Sequence, residues 1–308
     1  MKGSSTKSTS SQSHEPRVYD SPEKNEVRTQ LWLPAIREAI RRVKRNYPWR
    51  NPRYLTFPGP NCLDLRLFVD QEGLFSLGDV LGVEVGEEVA KAILGVYPRI
   101  QLERGRFEDV VHNQRFSRLF PFDVVNLDFD GNCFDNRFGG VPLKLRAIDR
   151  TFELQATAYT SFDMFLTFEA SYQEGRPAAD RDVEMILYDQ ATRLGTSGRY
   201  LHVATDGIQT DFYQSLLDVI PSVVIRLGWE AGFDTALVNR AYYKPTRSTP
   251  KTIVIAFVFA STWMHVPLSI PRWDYGSQTS PEILRRQQEA LDNPTFPVKR
   301  AKKKTSRG

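Results

Sequence analysis

PFDVVNLDFDGNCFDN, residues 121–136, decides how this chain is read. Val124, Val125 and Leu127, with Asn126 between them, form a run of strand length. The run ends in acids: Asp128, Asp130 and Asp135 follow it, and Asp130-Gly131-Asn132 carries turn chemistry. Cys133 sits among them in the shape Asn-Cys-x-Asp, which recurs upstream as Asn61-Cys62-Leu63-Asp64. These are the only two cysteines in the chain, and each follows a strand-like segment.

Working outward, apolar strand runs alternate with helical ones. Tyr54–Phe57 reads as a strand, broken by Pro58-Gly59-Pro60 and followed by helical Leu63, Leu65, Leu67 and Phe68. Val80–Val85 and Ile100–Glu103 are further strands, with a helix at Glu87–Leu94 between them. Beyond the opening stretch come a helix over Leu145–Tyr159, a strand at Met164–Phe168 and a helix over Phe212–Ile225 containing Pro221. Ala236–Tyr243 and Thr252–Ala260, joined by a turn rich in Pro, Ser and Thr, predict an antiparallel hairpin. The alternation predicts an α/β domain with a mostly parallel sheet and helices on both faces.

The 308 residues carry a formal net charge of +4, unevenly distributed. Residues 1–53 hold twelve basic and five acidic residues, and residues 298–308 hold six basic and none acidic. The middle is net acidic. Four segments are expected: a Ser/Thr/Gln-rich disordered tail over 1–21, a basic amphipathic helical segment over 22–53, the α/β domain over 54–297, and a basic tail over 298–308. In the helical segment Trp32, Ile36, Ile40, Val43 and Tyr47 share one face, and Pro34 fits a first turn. The basic ends point to nucleic acid, and a protein partner stays open. No apolar run is long enough for a membrane span, and the start lacks a secretory-type segment. A cytoplasmic protein without membrane contact is expected. Two cysteines and four scattered histidines predict no metal site of zinc type.

Five alternating units closed by a hairpin resemble the class I S-adenosylmethionine-dependent methyltransferases, over residues 54–262. The resemblance implies a Rossmann-like seven-stranded sheet and S-adenosylmethionine as cofactor. It implies that the turn after the first strand, with Pro58, Gly59, Asn61 and Cys62, meets the cofactor's amino-acid end. Gly59 is the one glycine there, and Phe57 stands where the family often has an acid. Glu84, in LGVEV, matches the acid that accepts the ribose hydroxyls. Phe107 and Glu108, in ERGRFEDVV, match the adenine wall and its polar partner.

Asp128-Phe129-Asp130-Gly131 resembles the acceptor-positioning motif of relatives that methylate amines, without its proline. It implies catalytic roles for Asp128, with Asn126 and Asp130 behind it. A plain turn, with Asp128 capping backbone amides, is the alternative. Because the first and fourth strands would be neighbours, the two cysteine loops are expected to pack together at the crevice, with Asp64 near it. The function implied is methyl transfer to nucleic acid or a nucleic-acid-associated substrate. A catalytically inactive scaffold of the same fold and a divalent-metal-dependent hydrolase or nuclease are the alternatives.

Overall fold

A computed structural model describes residues 21–131, 133, 137–138, 141–169, 208–243, 245 and 253–264. The expected tails at 1–21 (Ser21 excepted) and 298–308, and Asp135 of the acid cluster, lie outside the described residues.

Seven strands form one sheet: β1 (Tyr54–Thr56), β2 (Val80–Glu84), β3 (Gln101–Arg104), β4 (Val124–Asp128), β7 (Phe162–Glu169), β8 (Phe233–Tyr243) and β9 (Val254–Trp263). Their order is β3-β2-β1-β4-β7-β9-β8. The pairs from β3 to β7 are parallel, and β9 runs antiparallel to both β7 and β8. This is the predicted Rossmann-like sheet closed by an antiparallel hairpin. The pairs Tyr54–Val124 and Leu55–Val125 make β1 and β4 neighbours. A two-stranded ribbon, β5 (Arg137–Phe138) with β6 (Val141–Pro142), lies outside the sheet. Strands of two residues carry no periodicity, so the sequence did not announce it.

The central strands of the sheet are buried on both faces. Leu55, Val125, Leu127, Met164 and Leu166 pack with Phe107 and Phe116 and with α7 (Leu143–Ala156) and α8 (Ile208–Glu230). Their strand neighbours Tyr54, Val124 and Phe165 point the other way, onto the N-terminal helix and α4 (Glu87–Val96). The alternation is the period of two that any strand imposes.

The N-terminal helix departs from expectation at Pro34 and at Tyr47. It begins at Pro22, where the Ser21 hydroxyl accepts from the Lys24 N–H at 3.2 Å. It runs through α1 (Pro22–Glu26), a π-helical stretch over Val27–Trp32, and α2 (Leu33–Asn46). Pro34 therefore lies inside a long helix rather than in a first turn. The wider π turn just before it relieves the missing N–H and the ring's clash with the preceding turn. At the far end Tyr47 leaves the apolar face, because Pro48 forces the residue before it out of helical geometry. Trp32, Ile36, Ile40 and Val43 are buried as expected, whereas Tyr47 is exposed.

The segment is also tied to the amino end of the sheet by ions. Arg42 pairs with Asp163 at 2.5 Å, and Arg50 with Asp123 at 2.5 Å. Burial pushes the Asp163 carboxyl up to about 6 despite Arg42. The folded state then holds a proton that the unfolded chain has lost, between the usual carboxylate range and about pH 6. Asp163 therefore costs stability progressively as pH rises through that window, and the full cost persists above it. Urea unfolding at pH 4.5 and pH 7 should show the stability difference between Asp163→Asn and wild type shifting in the variant's favour at the higher pH.

Candidate active site

A cleft of about 740 Å³ opens at the carboxyl ends of β1, β2, β3 and β4. That is where open α/β sheets bind ligands, and the volume suits a nucleoside-sized molecule. Its walls are the loops that follow those strands.

After β1, Gly59 has φ +62° and Cys62 φ 51°. A Cβ at Gly59 would meet nothing within 4 Å, so its backbone conformation, not crowding, calls for glycine. Pro58 lies against the backbone of Gly82 on β2, where an added Cβ would come within 3.1 Å of its Cγ. The prolines thus hold the loop down in place of the amide contacts they cannot make. Cys62 donates to the Gly59 carbonyl through N–H at 3.3 Å. Burial raises its thiol above the ordinary range, which disfavours a nucleophilic role.

After β2, a Glu84 oxygen accepts the Gly86 N–H at 2.7 Å, which fixes the carboxylate at the strand end. Burial raises the Glu84 pKa, backbone amides of Gly86 and Val85 oppose the rise, and Asp130 adds to it. After β3, Phe107 joins Phe57 and Phe129 in an aromatic wall, with Phe107 5.3 Å from Phe57 and 6.2 Å from Phe129 between ring centroids. Glu108 and Arg106 stand beside it.

After β4, Asp128 and Asp130 line the cleft. Asp128 forms an ion pair with Lys24, which reaches in from α1. The carbonyl of Asp130 accepts from the ammonium of Lys144, a lysine of α7 that is only 4 % exposed. Glu169, at the end of β7, completes that side.

Of the residues the sequence nominated, Pro58, Gly59, Asn61, Cys62, Glu84, Phe107, Glu108, Asp128 and Asp130 all line this one cleft. Asn126 does not. It is buried one strand repeat below Asp128, and its amide donates to Asp64 at 2.7 Å and to the Tyr54 hydroxyl at 3.1 Å. Asp64 is not a crevice acid either. It is 3 % exposed and pairs with buried Arg28 at 2.5 Å. The cysteines also separate: Cys62 packs with the core under the N-terminal helix, and Cys133 with the core on the opposite face. The two loops share the cleft, but the cysteine side chains do not meet as neighbours.

The sequence reading missed Lys24 and Arg28 as site residues. They lie four apart on the stripe that continues as Trp32, Ile36 and Ile40, so the signal was an apolar face extended backwards by two cations. Four helical residues rise about 6 Å and two strand residues about 6.6 Å. Lys24 and Arg28 can therefore stand opposite Asp128 and the Asn126–Asp64 layer as two rungs. Burial works against the Arg28 charge, but Asp64 and Asp128 outweigh it and hold its pKa above the usual arginine value.

No protein-family model matches the sequence, and no curated protein matches it. Among solved structures, a Pyrococcus horikoshii protein proposed to be a transferase aligns with 75% of this chain at 11% identity and TM-score 0.36. This chain covers 64% of that protein's length. A P. horikoshii protein proposed to be an RNA methyltransferase aligns with 74% of the chain at 12% identity and TM-score 0.35, over 83% of its own length. M. jannaschii TYW2 in complex with AdoMet aligns with 75% of the chain at 12% identity and TM-score 0.33, over 78% of its own length. The sheet's strand order and its antiparallel hairpin make it Rossmann-like, and likenesses at these scores add neither a family nor a reaction to that.

The buried pair makes a direct prediction. Arg28→Met should cost about 3–5 kcal/mol, because it leaves the Asp64 charge buried without a partner. The double variant Arg28→Met/Asp64→Leu should recover much of that loss. Urea denaturation followed by tryptophan fluorescence measures both.

Proposed function

We propose that the cleft binds S-adenosylmethionine and that the chain transfers its methyl group to an amine on nucleic acid or on a nucleic-acid-associated substrate. The observation that carries the reading is the convergence of Glu84 and Asp128, from different strands, on one aromatic-walled cleft. A carboxylate at the end of β2 suits a vicinal diol, which offers two O–H donors. Phe57, Phe107 and Phe129 suit the face of a purine, with Glu108 available to an exocyclic amine. Pro58, Gly59, Asn61 and Cys62 border the place for an amino-acid end, and Lys144 adds positive charge on that side of the cleft for its carboxylate.

When bound, the cofactor supplies a methyl group already activated on a sulfonium, so the protein's contribution is mainly positioning and exclusion of water. Asp128 would hold the acceptor amine by accepting its hydrogen, and Asp130 offers a second acid nearby. Lys24 bears on this role, since its ammonium already neutralises Asp128. An acceptor amine has to displace it or share the carboxylate. The basic residues of the chain's ends add electrostatic affinity for a polyanion.

The same ion pair favours a second reading, a binding protein of this fold without turnover, in which Lys24 permanently satisfies Asp128. The metal-dependent hydrolase has less to stand on. Among the described residues no three His, Cys, Asp or Glu side chains come together as ligands. No described helix is long and apolar enough to cross a membrane.

Calorimetric titration with S-adenosylmethionine tests the reading. Micromolar binding supports it, and no binding by folded protein removes it. Glu84→Ala should weaken that binding about ten- to a hundredfold without unfolding the domain, as expected for lost charge-assisted hydrogen bonds. Asp128→Asn should leave cofactor affinity close to wild type while reducing methyl incorporation into total RNA or DNA. The two readings diverge at Lys24→Ala. Methyl incorporation by that variant at or above the wild-type level supports the enzyme, and its absence from both proteins supports the scaffold.

A further inference from the structure

At the amino ends of β1 and β4, opposite the cleft, the chain leaves α2 through Tyr47-Pro48-Trp49-Arg50. Trp49 is 80 % exposed and Tyr47 is exposed beside it. The two rings meet edge to face, 6.0 Å between centroids and 84° between planes. Arg50 lies over the Tyr47 ring at 5.3 Å and is itself held by the buried Asp123 carboxylate, with Nη2 to Oδ1 at 2.5 Å. The rings are therefore mounted on the sheet through Arg50. Exposed Arg41, Lys44 and Arg45 crowd the last turns of α2 just before them. Residues 41–53 contain six basic side chains and no acidic one.

We propose that this corner is a stacking platform for single-stranded nucleic acid. An indole left in water beside a second ring offers a π-face to any unstacked base, and base–aromatic stacking tolerates every sequence. The cations around it track a phosphate backbone and release its counterions. A protein partner fits the corner less well. The two rings are surrounded by Pro48 and a concentration of charge, whereas the core of a protein–protein interface is apolar and depleted of charged residues. Duplex nucleic acid fits less well too, since its base faces are already stacked. The platform stands at the end of the sheet away from the cleft, so it needs neither cofactor nor turnover. It would hold a strand that reaches the rest of the molecule elsewhere.

The experiment uses the full chain and a fluorescein-labelled twelve-nucleotide oligothymidylate, with anisotropy measured over a series of salt concentrations and no cofactor present. Trp49→Ala should weaken binding about five- to a hundredfold, the range for loss of one stacked base. Trp49→Phe should retain most of the affinity. Lys44→Ala/Arg45→Ala should flatten the log–log salt slope by about 1.4, from about 0.7 per phosphate contact on a single strand. Basic residues elsewhere act alike on all variants, so the differences belong to this corner. Wild-type affinity in Trp49→Ala together with an unchanged salt slope in the double variant would overturn the proposal. Equal dependence on Trp49 for a duplex of the same length would overturn single-strand stacking. A change in self-association with unaltered oligonucleotide binding would turn the corner into a protein contact.

Discussion

The Arg28 guanidinium and the Asp64 carboxylate are both almost fully removed from water, and neither is tolerable there without the other. Their pairing joins three parts of the molecule distant in sequence. Arg28 belongs to the N-terminal helix, and Asp64 to the short α3 (Leu63–Leu65) after β1. Asn126 of β4 closes the layer by donating to the same carboxylate. Tyr54, hydrogen-bonded to Asn126, is fully buried, and its phenol is pushed well above its usual range first by burial and then by Asp64. The layer is polar at the centre of an otherwise apolar face, so it constrains how the helix can lie on the sheet. A helix slipped by one turn would bury Arg28 without its acid.

That constraint fixes the cleft above. With Arg28 seated, Lys24 stands one turn higher, opposite Asp128. The helix thereby becomes a wall of the cleft as well as a cover for the sheet. Asp128 faces it because strand side chains alternate: Val124, Asn126 and Asp128 share one face of β4, and Val125, Leu127 and Phe129 the other. The same alternation sends Phe129 to the aromatic wall with Phe57 and Phe107. One strand end therefore supplies an acid to one side of the site and a ring to the other.

Charge is arranged by the two ends of the sheet. At the carboxyl ends acids dominate, with Glu84, Glu108, Asp128, Asp130 and Glu169 around the cleft and Lys24, Lys144, Arg28 and Arg106 interleaved. At the amino ends Arg42, Arg50 and Arg53 engage Asp163, Asp123 and the Pro121 carbonyl. Arg53 closes over the Phe122 ring at 4.7 Å. The acids there are consumed in structure, and the surplus positive charge of α2 faces outward.

Much of the fold was legible in the sequence. Strand-length apolar runs separated by turn residues and helical spacings are local, and local periodicity survives without knowledge of neighbours. The places of Glu84, Phe107 and Asp128 on the cleft were legible for the same reason, since each lies at or shortly after the carboxyl end of a strand and such positions converge in any sheet of this order. The roles of Asn126 and Asp64 were not. An acid or amide in a loop looks alike whether it faces a cleft or a buried arginine, and only packing brings Arg28 across. The paired Asn-Cys-x-Asp loops were equally deceptive: strand pairing brings the segments to one cleft, but the sheet divides the cysteines between two cores. Tyr47, read as part of an apolar stripe, was turned outward by Pro48. Sequence determined which residues alternate and where strands end, because these depend on nearest neighbours. Tertiary structure decided which charges are partners, because a buried charge is settled by whatever distant group arrives to meet it.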